Sequence, residues 1–193
     1  MTVFEGSRSP SAGLVLVAVG SQPALAARVA AAAARLSTIS TWALNPVASD
    51  RPGAEALAAL AQGRGTQDPP AWIAPLPVDP GLGLEGGGSW AEALGAFRQP
   101  TALVLEPAQL ASGWPAAATA LLLQERVPLV GLIQLGGVWA SERRRGEGLP
   151  WLGWLPGSEE PQQEQREQRE QREEQEEELL ACLALRWRRL DLL

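Results

Sequence analysis

Four short runs of this chain are apolar almost without a break: Gly13 to Val19, Thr101 to Leu105, Pro128 to Leu135 and Pro150 to Leu155. A strand of that kind has no wet face to turn outward, so it must be covered on both sides. The segments between them read as helices. Pro23 opens one that runs to Leu36, in the first-turn position proline tolerates. Ser89 and Glu92 have the spacing of a capping box for a helix through Phe97, and Pro115 to Arg126 reads as a third. Apolar strands alternating with helices predict an α/β domain, a mostly parallel sheet with helices on both faces.

The stretch between the first and second runs is less regular. Ile39 to Leu44 is a further apolar segment that ends at Asn45-Pro46, where proline drives the preceding residue out of helical geometry. Gly53 to Ala61 reads as a short helix closed by Gly63. Arg64 to Gly88 is dominated by Pro and Gly, with one short strand expected at Trp72 to Leu76.

With 193 residues, 46% of them hydrophobic, one domain is expected. Residues 1–12 are expected to be a flexible N-terminus and 13–157 the α/β domain. The composition then changes. Glu159 to Glu178 holds ten glutamates and three arginines, a local charge of −7 against −6 for the whole chain, so the rest is near +1. Residues 158–178 thus read as a charged Glu/Gln/Arg-rich insert built on Glu-Gln-Arg triplets, Glu164 to Arg172. Arg166 with Glu170, Arg169 with Glu173 and Arg172 with Glu176 have the spacing of helical ion pairs. Residues 179–193 read as a C-terminal amphipathic helix packing on the domain, with Leu180, Leu183, Trp187 and Leu190 at helical spacing.

All sixteen basic side chains are arginines; there is no lysine, histidine or tyrosine. That removes Schiff-base nucleophiles, the phosphate-loop lysine and the ordinary near-neutral general base. A lone Cys182 excludes an intramolecular disulfide and a cysteine metal cluster, and reads as a small buried side chain in a cytoplasmic protein. No signal peptide and no membrane-spanning run is visible. Arg143 to Arg145 is too short for a nucleic-acid face and reads as a solvated loop. The eight tryptophans read as packing residues whose indole N–H finds a carbonyl.

Ligands of an open parallel sheet bind beyond the carboxyl ends of its strands, so the loops at Gly20, Asn45, Glu106 and Gly136 are the candidate sites. Gly20-Ser21-Gln22 leads directly into a helix and offers amides to an anion. Gly86 to Gly88 reads as a flexible turn, and Asp50 and Asp79 as solvated turn residues.

Taken in order, these segments resemble the dethiobiotin synthetases, a branch of the P-loop NTPases with a three-layer fold. Leu14 to Gln22 stands where that family has its phosphate loop. Thr41 to Ser49 is similar to its Lys-Pro-Val-Gln-Ser segment: Pro46, Val47 and Ser49 match, while Asn45 replaces the lysine and Ala48 the glutamine. Leu84-Glu85-Gly86-Gly87-Gly88 resembles a Glu-Gly-Ala-Gly-Gly turn, in which the resemblance implies that Glu85 faces a metal and Gly86 and Gly88 face phosphate. Thr101 to Trp114, Val127 to Leu135 and Leu149 to Pro156 follow the family's later pieces.

The departures bear on function. The phosphate loop lacks its glycine-rich span, its lysine and the Ser/Thr after it, and the family lysines that steady carbamate and phosphate have no equivalent. The resemblance therefore implies a degenerate synthetase, a pseudoenzyme without ligase activity that needs no cofactor and binds a partner or small anion. Gly20, Ser21, Gln22, Asn45, Pro46, Ser49, Glu85, Gly86 and Gly88 are its candidate anion or nucleotide residues; no catalytic residue is assigned. A second reading is an active, ATP-dependent dethiobiotin synthase of biotin biosynthesis with a rearranged site, which would require ATP and Mg, the latter on Glu85. A third is an interaction protein using the 164–178 helix. A protein partner or a homodimer is expected, and neither nucleic acid nor membrane.

Overall fold

The computed structural model describes residues 13–20, 24–45, 71–85, 87–157 and 166–191. Among these residues the six strands are β1 (Leu14–Ala18), β2 (Ala43–Leu44), β3 (Trp72–Pro75), β4 (Thr101–Leu105), β5 (Leu129–Leu135) and β6 (Trp151–Leu155). The helices are α1 (Ala24–Ile39), α2 (Trp90–Ala96), α3 (Pro107–Leu110), α4 (Trp114–Gln124), α5 (Ser141–Gly146) and α6 (Arg166–Asp191). The strands form one sheet in the order β2-β3-β1-β4-β5-β6, and every pairing is parallel. The expected helix at Gly53 to Ala61 lies outside the described residues, as does the N-terminal segment 1–12.

The sheet is covered twice, as its strands require. Leu14, Leu16 and Ala18 point to one face, with Leu25, Val29, Ala32 and Leu36 of α1 and Leu179, Leu183 and Trp187 of α6. Val15 and Val17 point to the other, against Ala91 and Leu94 of α2 and Ala118 and Leu122 of α4. All five residues of β1 and of β4 are buried. The Ser89/Glu92 capping box forms in both directions at the start of α2: the Glu92 amide donates to Ser89 Oγ at 3.2 Å and the Ser89 amide to Glu92 Oε2 at 2.6 Å.

The charged triplets from residue 166 and the apolar stretch after residue 178 are one continuous helix, α6. Its docking face is Glu176, Leu179, Leu183 and Trp187, all buried, which follows the apolar spacing with one carboxylate added. That carboxylate receives Arg35 of α1 in a two-point contact, Nε to Oε1 and Nη2 to Oε2, each 2.7 Å. Glu176, expected to pair along its own helix, is thus also held by a long-range arginine; Arg169 and Glu173 pair at 2.9 Å, as expected. Two planar groups joined by two parallel charge-assisted bonds make a stronger tie than an exposed ion pair such as Arg169 with Glu173.

Other expectations shift for local reasons. Arg143 to Arg145 is helical, in α5, and Arg144 is buried. The indole of Trp154 donates to Gly137 O at 2.9 Å as expected, but that of Trp151 donates to Glu147 Oε2 at 2.8 Å and that of the fully buried Trp187 has no partner. Trp187 instead meets Trp42 edge-on, with ring centroids 5.3 Å apart. No helix among the described residues is long and apolar enough to cross a membrane.

Trp187 fixes α6 by volume, not by hydrogen bonding. Trp187→Ala should cost about 3–5 kcal/mol in urea unfolding. Trp187→Phe, which removes an unpaired donor along with some volume, should cost less than about 1.5 kcal/mol; equal losses would contradict this account of the joint.

Candidate functional site

The strand order places a crevice between β1 and β4. From β1 the chain leaves toward β2 on one side of the sheet, and from β4 toward β5 on the other. Diverging connections open a gap beyond the carboxyl ends of such neighbouring strands. The residues at this gap are Val19 and Gly20 after β1, and Glu106 after β4.

Four side chains fill the approach to it. Arg28 lies on the apolar stripe of α1, between Leu25 and Val29, and its side chain is only 6% exposed. Its Nη1 donates to Val19 O at 2.8 Å and its Nη2 to Glu106 Oε2 at 2.6 Å, while Nε is buried without a partner. Gln109 of α3 donates its amide to the same Val19 carbonyl at 2.6 Å and accepts from the Glu106 amide at 2.9 Å. The last carbonyl of the β1 segment thus receives two donors and the first turn of α3 is closed on itself. A guanidinium bridge therefore ties the ends of the two central strands together.

The fourth side chain is Asp79. The Gly20 amide donates to Asp79 Oδ2 at 2.8 Å and the Gly81 amide to Oδ1 at 2.9 Å. Asp79 opens a turn, as expected, with the Leu82 amide donating to its carbonyl at 3.0 Å, and it also joins that turn to the end of β1. Backbone amides beyond a strand attract anions, and here the anion on Gly20 is the protein's own carboxylate. Gly20 itself has φ +119, a conformation that suits glycine.

The remaining candidates are spread more widely. Ser21, Gln22, Pro46, Ser49 and Gly86 lie outside the described residues. Asn45 follows β2, exposed, and its amide donates to Ile73 O at 2.8 Å, which extends the pairing of β2 with β3. Glu85 is exposed in a turn that the Gly83 and Ser89 bridge closes, with Leu84 and Gly88 bonded at 3.0 Å. At Gly88, φ is +79 and a Cβ would come within 2.5 Å of Glu92 Oε2, the atom that holds the Ser89 amide. Glycine there serves the capping box. Among the described residues, no three of the Cys, Asp and Glu side chains gather to hold a metal ion.

Arg28, Asp79 and Gln109 were not among the residues singled out for a site. One signal was available for Arg28: a charged residue on the apolar stripe Leu25, Arg28, Val29, Ala32, Leu36 needs a buried partner. Glu106 with Gln109 three residues on likewise has capping-box spacing. The Asp79 contact with Gly20 carries no local signal, because the two are 59 residues apart. No family model and no curated protein matches the chain.

The Arg28 bridge makes a stability prediction. Glu106 is partly exposed, so Glu106→Ala should cost about 2 kcal/mol by leaving a buried guanidinium short of an acceptor. Adding Arg28→Met should recover part of that loss in urea unfolding. A double variant no more stable than Glu106→Ala alone would refute the stranded-charge explanation.

Proposed function

We propose that the chain is a degenerate relative of the dethiobiotin synthetases that works in the cytoplasm without ATP, as a binding protein for a protein partner or a small anion. The observation that carries this reading is the Asp79 carboxylate on the Gly20 amide. A bound triphosphate needs free backbone and cationic donors at that strand end. Gly20 spends its amide on Asp79, and Arg28, the buried cation beside it, donates to Val19 and Glu106.

Mg and ATP fit these residues poorly. Glu85, the carboxylate that the family resemblance would assign to the metal, stands exposed in its turn, and Asp79 already bridges two amides. A second carboxylate repels phosphate where a lysine would attract it. No step of phosphoryl transfer follows from this donor set. A protein partner has a surface available in the N-terminal half of α6, where Glu170, Glu173, Glu174 and Glu177 are exposed. A homodimer belongs to this reading as well.

Calorimetric titration with a non-hydrolysable ATP analogue and Mg tests the proposal. The expected result is no saturable heat up to about millimolar ligand, a binding free energy weaker than about −4 kcal/mol. Saturable binding tighter than that, abolished by Glu85→Ala, would restore the active-synthase reading.

A further inference from the structure

Arg144 is a buried cation with a donor to spare. Its side chain is 7% exposed, on a helix of six residues that packs beside β6. Nε donates to Gln134 Oε1 at 3.3 Å and Nη1 donates to Glu147 Oε1. The guanidinium lies over Trp151, 5.1 Å from the ring centroid, and the Trp151 indole donates to the other Glu147 oxygen. Gln134, fully buried, gives its own amide to Gly136 O and Val138 O at 2.9 and 3.1 Å. The group is therefore fixed on three sides, as a preorganised binding residue has to be. Among the described residues Nη2 alone has no acceptor, and it is not sealed from solvent.

Arg144 lines a partly open cavity of about 100 Å³ between α5, β6 and α6. Trp139 and Trp151 meet edge-on there, with centroids 6.2 Å apart, and Leu179 contributes an apolar wall. Ser141 and Gln175 add a hydroxyl and an amide to the lining. Its charged residues are two arginines against one glutamate, Glu178, which Arg145 approaches to 3.9 Å. A dry cavity of about 150 Å³ can hold a benzene ring, so this one takes a smaller body. A guanidinium and a hydroxyl lining one cavity supply donors for the two oxygens of a carboxylate, and the indoles and Leu179 match a few carbon atoms behind it.

We propose that this cavity binds a short-chain aliphatic carboxylate, with its carboxylate on Arg144 and Ser141 and its hydrocarbon against Trp139 and Leu179. The site is separate from the β1/β4 crevice and does not rest on the nucleotide reading.

Cys182 also lines the cavity and is the chain's only cysteine, so its alkylation reports on this place alone. Iodoacetate and iodoacetamide react in the same way, the thiolate sulfur forming a bond to the methylene carbon as iodide leaves, but only iodoacetate carries a carboxylate. In the full chain, the iodoacetate-to-iodoacetamide rate ratio should exceed that of glutathione by about tenfold, a difference of about 1.4 kcal/mol. The iodoacetate rate should saturate with concentration, and butyrate should protect where butyramide does not. Ser141→Ala should lower the ratio severalfold without unfolding the protein. Arg144→Met, with its fold checked by circular dichroism, should bring it to the glutathione value. A wild-type ratio equal to that of glutathione would overturn the proposal. So would a raised ratio without saturation, or equal protection by butyrate and butyramide, each of which reports general charge or crowding instead of a carboxylate site.

Discussion

Everything in this structure follows from strands that are apolar on both faces. β1 and β4 can be buried only between two layers of helix, and the chain has to supply enough helix for both. On one face α1 supplies part of the cover, and it does so with alanines that lie close to the sheet. The area over β5 and β6 falls to α6, whose Leu179, Leu183 and Trp187 belong to the same apolar cluster as β1. The C-terminal helix is thus part of the core, although half of its sequence looks like a solvated appendage.

The second dependence is electrostatic. A cation buried in α1 has to be satisfied, and Arg28 is satisfied by the ends of the two central strands. Arg35, two turns further on, holds the helix that covers β5 and β6 on the same face of the sheet. One helix therefore fastens the crevice with one arginine and the C-terminal cover with another. Arginine suits both tasks, since its planar fork addresses two acceptors at once and its charge persists when buried. A lysine in either place would offer a point charge without that geometry.

Much of the fold was legible because it is written in local periodicity. Uninterrupted apolar runs marked β1, β4, β5 and β6, and the Ser89/Glu92 spacing marked the start of α2. The docking stripe of α6 was readable from Leu183 and Trp187. α3 and α5 were not, since helices of four and six residues leave too little pattern to detect. The crevice was legible only in outline. Strand ends near Gly20 and Glu106 were marked as ligand positions by the topology of parallel sheets, but their occupants come from elsewhere in the chain. Asp79 reaches Gly20 across 59 residues and Glu176 reaches Arg35 across 141. Such pairings depend on strand order, which no local spacing encodes. Arg144 was misread for the same reason: three arginines in a row look solvated until Gln134, Glu147 and Trp151 are brought beside the middle one.

The division of α6 into a docked half and an exposed half has a geometric corollary. Gln168 to Gln171 are exposed, within a stretch of Glu-Gln-Arg triplets whose side chains add nothing apolar to the core. Each triplet gained or lost would lengthen or shorten the rod by about 4.5 Å and turn its tip by about 300°. Leu179, Leu183 and Trp187 would keep their register on the sheet throughout. Repeat number therefore sets the length of this helix independently of the apolar residues that seat it.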